Sequence, residues 1–139
     1  MTSLKLFGLS MAVFAFLDFI WLGYVMSAKY KEWFGPLARL NADGSLNVNF
    51  VAAVFVYVLL AAAIVFFVLP RTAGHGQGQV FLYGALMGLI IYGVYDLTNA
   101  ATLARWPLAL ILADTAWGTF ATGMTAYVVS YLSKMFSWL

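Results

Sequence analysis

Apolar residues fill four long stretches of this chain, and polar residues cluster between them. The stretches cover about residues 4–28, 48–69, 80–98 and 106–133. A membrane-spanning helix needs about 20 predominantly apolar residues to cross roughly 30 Å of hydrocarbon. The pattern therefore predicts an all-α, polytopic membrane protein whose single domain, residues 1–139, is a bundle of four antiparallel transmembrane helices with both termini on one side.

Turn-forming residues mark the connections between the stretches. The first connection contains Gly35-Pro36 and Asn41-Ala42-Asp43-Gly44, and we expect it to cap one mouth of the bundle. The second, TAGHGQGQ, contains His75, which we expect to be solvated because no Cys, Asp or Glu lies nearby. Residues 99–105 are predicted to form the third connection.

The composition agrees with a bilayer environment. The chain is 65% hydrophobic and only 9% charged, whereas roughly a quarter of residues are charged in soluble domains. It has no cysteine, which excludes disulfides and cysteine-ligated metals, and no basic cluster that would indicate nucleic acid. The seven Lys and Arg residues divide almost evenly between the two sides, so they do not fix the orientation of the termini. We interpret the first stretch as a retained helix, because it lacks a convincing signal-peptide cleavage site.

Three aspartates interrupt the apolar stretches. A charged side chain at mid-bilayer costs about 2.5 to 3.5 kcal/mol on insertion scales, so each needs an explanation. In antiparallel helices, Asp18 and Asp114 would both lie roughly 12 to 15 Å below the same surface, with Asp96 above them. We therefore predict a blind cavity that opens towards the first and third connections, rather than a continuous channel.

Two of these acids share a local D-x-x-W pattern. Asp18 precedes Trp21, and Asp114 precedes Trp117, by three residues. This spacing puts each indole on the same helical face as its carboxylate, where its N–H can bond the acid. The second stretch has only Tyr57 as a polar side chain within it, so we expect its helix to be the most lipid-exposed.

Small residues line one face of the third stretch. Gly84, Gly88, Tyr92 and Asp96 are each four residues apart, which predicts a groove for close helix contact. The same glycine face is a candidate surface for a homodimer. Together with the acids and tryptophans, the polar end of this stretch gives our candidate ligand-binding residues: Asp18, Trp21, Tyr92, Tyr95, Asp96, Asn99, Thr102, Arg105, Trp106, Asp114 and Trp117.

The segments LDFIWLG, GLIIYGVYDLTNAATLARWP and DTAWG resemble the bacterial membrane-protein family DUF2177, a domain of unknown function. The resemblance covers essentially the whole chain, and its most specific part is the pattern YDLTNxATLxxWP at residues 95–107. It implies a multi-pass protein of the bacterial inner (cytoplasmic) membrane with four spans. It implies no established catalytic residues.

The leading functional hypothesis is a membrane binding or carrier protein for a small amphipathic, lipid-like molecule. Its polar end would meet the acids, and aromatic walls would hold its apolar part. Membrane lipid is the expected partner, no cofactor or metal site is predicted, and unpaired acids would make the site responsive to protons.

Two alternatives remain open. The first is a membrane-embedded enzyme acting on lipids, in which paired carboxylates do acid–base work; the sequence has no HExxH or G-x-S-x-G motif to support it. The second is a structural or assembly subunit. There the buried acids, for example Asp96 or Asp114 paired with Arg105, only fix helix packing.

Overall fold

The computed structural model describes residues 2–138, and the chain is all-α over that range. The first long helix bends into a π-helical turn, a short helix follows it, and the second long helix contains another π-helical turn near its end. The elements are α1 (Thr2–Ile20) with its π-helical turn (Trp21–Val25), α2 (Ser27–Phe34), a 3₁₀ turn (Gly35–Leu37), α3 (Phe50–Ala63) with its π-helical turn (Ile64–Val68), α4 (Leu69–Arg71), α5 (Gln77–Thr102) and α6 (Leu108–Met135).

Three helical stretches are long and apolar enough to cross a membrane. They are Ser3–Val25, Phe50–Arg71 and Gln77–Thr102, and they establish an all-α membrane protein. The fourth long helix, α6, has 28 residues but is not among them. Asp114 and several threonines lower the mean hydropathy of α6. This helix also contributes the largest number of buried residues among the described elements.

Helices α5 and α6 form the most extensive contact in the molecule. A Cβ on Gly84 would lie 2.8 Å from the Ala126 Cβ, and one on Gly88 would lie 2.7 Å from the Thr122 Oγ1. Only glycine lets the two backbones approach this closely. The close helix contact predicted for the glycine face is thus made inside one chain, and a homodimer through Gly84 and Gly88 would require α5 to separate from α6.

One stripe of α1 faces the other helices. Leu6, Ser10, Phe14 and Asp18 are each four residues apart and all buried, as expected for one face of an α-helix. The Ser10 hydroxyl donates to the Leu6 carbonyl at 2.8 Å, so this polar group is satisfied within its own helix. This buried face of α1 runs from the apolar end of the bundle to the Asp18 carboxylate.

Helix α3 diverges from the bundle at its N-terminal half. This half packs on α1, whereas the π-helical turn Ile64–Val68 also packs on α5 and α6. The expectation that the second span is the most lipid-exposed therefore holds only for its first half, where Phe50 and Leu59 are 79% and 69% exposed. Its second half has a buried face that includes Ile64 and Val68, whereas Phe66 on the same turn stays exposed. The divergence leaves a gap beside the C-terminal half of α5.

Two segments are more helical than the sequence predicted. Helix α5 continues to Thr102, four residues beyond the predicted end of the span. Polar side chains fit this last turn because they form hydrogen bonds within the helix: the Thr102 hydroxyl donates to the Thr98 carbonyl at 2.8 Å. The chain becomes extended at Leu103, ahead of Pro107. Part of the first connection forms the short helix α2.

Candidate functional site

A cavity of about 960 Å³ lies at the end of the bundle that carries the first and third connections. Its walls come from the end of α1, from α2, from the first connection, from the first half of α3 and from the ends of α5 and α6 that face them. Its polar lining includes Asp18, Tyr30, Tyr57 and Asp114. A separate cavity of about 530 Å³ lies at the opposite end and shares no lining residue with the first.

Asp18 is held by a tryptophan from another helix. Its Oδ1 accepts a hydrogen bond from the Trp117 Nε1 at 2.8 Å, and the side chain is only 8% exposed. Trp21 stacks on Trp117 with ring centroids 4.4 Å apart and an interplanar angle of 1°. The D-x-x-W residues therefore pair between helices: Asp18 bonds the indole of α6, because Trp21 lies in the π-helical turn and directs its own N–H elsewhere.

Asp114 is bonded by a tyrosine of α2. The Tyr30 hydroxyl donates to the Asp114 Oδ1 at 2.5 Å, and the Trp21 Nε1 donates to the Tyr30 hydroxyl at 3.4 Å. Burial and the neighbouring Asp114 carboxylate raise the pKa of Tyr30 above its ordinary value of 10.0. The phenol is therefore a proton donor at neutral pH.

Tyr30 was missed by the sequence analysis because it stands in a charged segment, between Lys29 and Lys31. It is nevertheless the only buried residue of α2. The sequence feature that could have indicated Tyr30 is its spacing of one helical turn from the aromatic pair Trp33 and Phe34. In the structure Tyr30 packs on both rings, with centroid distances of 5.9 and 5.5 Å.

Asp96 is fully buried and does not line the cavity, but its carboxyl group is a hydrogen-bond partner of Asp114, which does. Its Oδ1 accepts from the Trp106 Nε1 at 3.0 Å, and its Oδ2 accepts from the Thr115 hydroxyl at 3.3 Å. These bonds join the end of α5 to the third connection and to the first turns of α6. Thr115 is a partner that the sequence did not single out, although it directly follows Asp114.

Two further predicted residues contribute to the cavity wall. Tyr95 and Trp106 both line it, in an edge-to-face arrangement with ring centroids 6.0 Å apart. Tyr92 instead packs directly over Gly118, where a Cβ would overlap its ring. The Tyr92 ring therefore fills the space between α5 and α6.

The remaining predicted residues lie outside the cavity lining. Asn99 is partly buried, whereas Thr102 and Arg105 are exposed at the end of α5 and in the third connection. Over residues 2–138 the one ion pair joins Lys29 to Glu32 at 2.9 Å. The suggested pairing of Arg105 with Asp96 or Asp114 is therefore not formed in the described part of the chain.

His75 is exposed in the second connection, and its Nδ1 lies 3.2 Å from the Ala73 carbonyl oxygen. Across residues 2–138, no group of three or more His, Cys, Asp or Glu side chains is arranged to hold a metal ion. The titratable chemistry of the site thus comes from carboxyl groups and phenols.

A family model described as "Predicted membrane protein (DUF2177)" matches residues 3–131, which include the whole of this site. The chain belongs to the DUF2177 family. This confirms the resemblance carried by the YDLTNxATLxxWP pattern. Comparisons with curated proteins and with solved structures give no match.

The acids of this DUF2177 protein differ in their environment. Asp18 and Asp114 line the cavity, where Trp117 and Tyr57 bond the first acid and Tyr30 and Asp96 bond the second. Asp96 uses both oxygens and does not reach the cavity. The first two acids can therefore accept hydrogen bonds from a bound molecule, while Asp96 joins elements of the fold.

Proposed function

We propose that this DUF2177 protein binds a small amphipathic, lipid-like molecule in the 960 Å³ cavity and carries it within the bacterial inner membrane. The observation that supports this most is the position of Asp18 and Asp114. They place acceptor oxygens in a cavity that is otherwise walled mainly by apolar and aromatic side chains. A few polar groups converging in an apolar pocket are typical of ligand sites.

The shape of the cavity agrees with a ligand that has an apolar tail. Between the acids and the gap beside α3, the lining includes Phe19, Phe50 and Val54. The first half of α3 also exposes large apolar side chains on its outer surface, as a helix does in contact with lipid tails. The polar end of the ligand would lie among the acids and tyrosines, and its tail would extend through the gap into the bilayer.

The proposal includes four transmembrane helices, with α6 as the fourth. Gly84 lies against Ala126 and Gly93 lies against Thr115, so α5 and α6 run antiparallel side by side over most of their length. A helix of 28 residues is about 42 Å long, enough to cross the hydrocarbon core. If α5 crosses the membrane, α6 must cross it too, with its polar residues directed into the bundle.

The test is mass spectrometry of small molecules that co-purify with the protein in native-lipid particles. We expect a specific amphiphile in the wild type and its loss from Asp18→Asn and Asp114→Asn. Glu32→Gln is the matched control, because it removes the same charge from an exposed position outside the cavity lining. The proposal fails if the folded wild type carries no enriched molecule, or if both cavity variants retain it.

A structural role for the acids is the second candidate. It is favoured by Asp96, whose two oxygens are occupied by Trp106 and Thr115 within the fold. In this case the protein would act as an assembly subunit, and neutralising any of the three acids would destabilise it without releasing a ligand. A stoichiometric protein complex after gentle solubilisation would support this candidate over a carrier.

A further inference from the structure

The two cavity acids have no cationic partner among the described residues. Asp18 forms hydrogen bonds with the Trp117 indole and the Tyr57 phenol. Asp114 forms them with the Tyr30 phenol and with the Asp96 carboxyl group. The only basic side chain in the cavity lining is Arg39, an exposed residue of the first connection that forms no ion pair. The cavity therefore contains two carboxyl groups that no basic side chain of the described residues neutralises.

Asp18 provides the clearest acceptor. Its side chain is more than nine-tenths buried, and its Oδ1 is occupied by the Trp117 indole. The Tyr57 hydroxyl is a second hydrogen-bond partner of this carboxylate, and both residues line the cavity. An ionised carboxylate has about four acceptor sites, so these two neutral partners leave room for a further donor that enters from the open cavity.

Aromatic rings line the same cavity as these acceptors. Tyr30, Phe34, Tyr57, Tyr95 and Trp106 contribute to the same cavity lining. The face of an aromatic ring attracts cations, and aromatic cages are a common means by which proteins recognise quaternary ammonium groups. An anionic head group would meet the opposite situation, because two carboxyl groups would repel it.

We propose that the polar end of the ligand is an ammonium group, so that the cavity selects cationic amphiphiles over anionic and uncharged ones of equal chain length. This inference rests on the proposed function of the cavity. A primary ammonium would donate to the remaining acceptor sites of the Asp18 and Asp114 carboxylates while the rings contact its remaining surface. A quaternary ammonium would be held by charge and by the rings alone.

The test is a binding titration of the wild-type protein in lipid nanodiscs, read by tryptophan fluorescence. The probes are decylammonium, decyltrimethylammonium, decyl sulfate and decanol, which share one tail and differ in head group. We expect both ammonium compounds to bind at least about tenfold more tightly than decyl sulfate, with decanol between them. Asp18→Asn and Asp114→Asn should reduce this preference, and Glu32→Gln should leave it unchanged.

The outcomes separate the two proposals. Equal binding of all four probes, or a preference for decyl sulfate or decanol, overturns the ammonium inference and leaves a lipid-binding cavity. An ammonium preference that survives in both folded Asp variants overturns it as well, since the charge would then act elsewhere. Absence of saturable binding by every probe overturns the proposed function itself.

Discussion

Gly88→Ala tests the packing that holds α5 against α6. The new Cβ would lie 2.7 Å from the Thr122 Oγ1 and would overlap the Gly118 carbonyl oxygen. The Thr122 hydroxyl already donates to that same carbonyl at 2.7 Å, so it cannot turn away without losing a hydrogen bond. Because a backbone atom is involved, the two helices have to move apart to admit the methyl group.

Gly93→Ala provides the matched comparison on the same helix. A Cβ there would have its nearest neighbour, the Thr115 Cγ2, at 4.0 Å, so it fits without displacement. Both substitutions gain the same helix propensity, about 1 kcal/mol from glycine to alanine. Overpacking a close contact costs about 1 to 3 kcal/mol, so Gly88→Ala should be less stable than Gly93→Ala by about that amount.

The assay is equilibrium unfolding of the two variants and the wild type in mixed micelles, with helix content followed by circular dichroism. The common propensity gain cancels in the difference between the variants, which leaves the packing cost at Gly88. Equal stability of the two variants would show that α5 and α6 are not in contact at Gly88, and would refute the packing described here.

Three further predictions concern hydrogen bonds that position the site. Asp96→Ala should lower the free energy of unfolding by about 1 to 3 kcal/mol, because it leaves the Trp106 indole N–H without its acceptor. Trp106→Phe, which removes that donor, should cost less, and equal stability of Asp96→Ala and wild type would contradict this. The stabilisation by Tyr30 should be complete below pH 10.0 and be lost as the pH rises above that value, because the raised pKa keeps the phenol protonated longer in the folded state than in the unfolded state. Tyr30→Phe should therefore flatten the alkaline part of the plot of unfolding free energy against pH. Parallel plots for the variant and the wild type would contradict this role of Tyr30. Asn49→Ala should cost about 1 kcal/mol in thermal or chemical unfolding, because the Asn49 side chain caps α3 by accepting from the Ala52 N–H, and an unchanged midpoint would exclude that role.

The depth of the acids along the bundle could be predicted from the sequence, because it depends only on the number of residues between each acid and the end of its helix. Helix rise and antiparallel connectivity are enough to put Asp18 and Asp114 at similar depth, and the cavity between them is at the predicted end of the bundle. The contact of Gly84 and Gly88 with another helix follows from their spacing. Such features need only the helical period and the order of the spans.

The hydrogen-bond partners of the acids could not be predicted in this way. Trp117 bonds Asp18 across two helices, which depends on how α1 and α6 are rotated about their axes. The π-helical turn that begins at Trp21 changes this rotation locally, and nothing in the apolar pattern marks it. Tyr30 was overlooked for a related reason: α2 is too short and too charged to stand out as a helix before its place against Asp114 is known.

Mapping where an amphiphile binds tests directly whether the cavity is the ligand site. A photoreactive decylammonium analogue would be crosslinked to the protein in nanodiscs, with and without excess unlabelled decylammonium, and the attachment sites read by peptide mass spectrometry. We expect the competed sites to fall on cavity residues such as Phe19, Val54 and Tyr57. Competed labelling confined to the outer surface, for example at Leu82 and Leu86, or labelling that no competitor reduces, would contradict it.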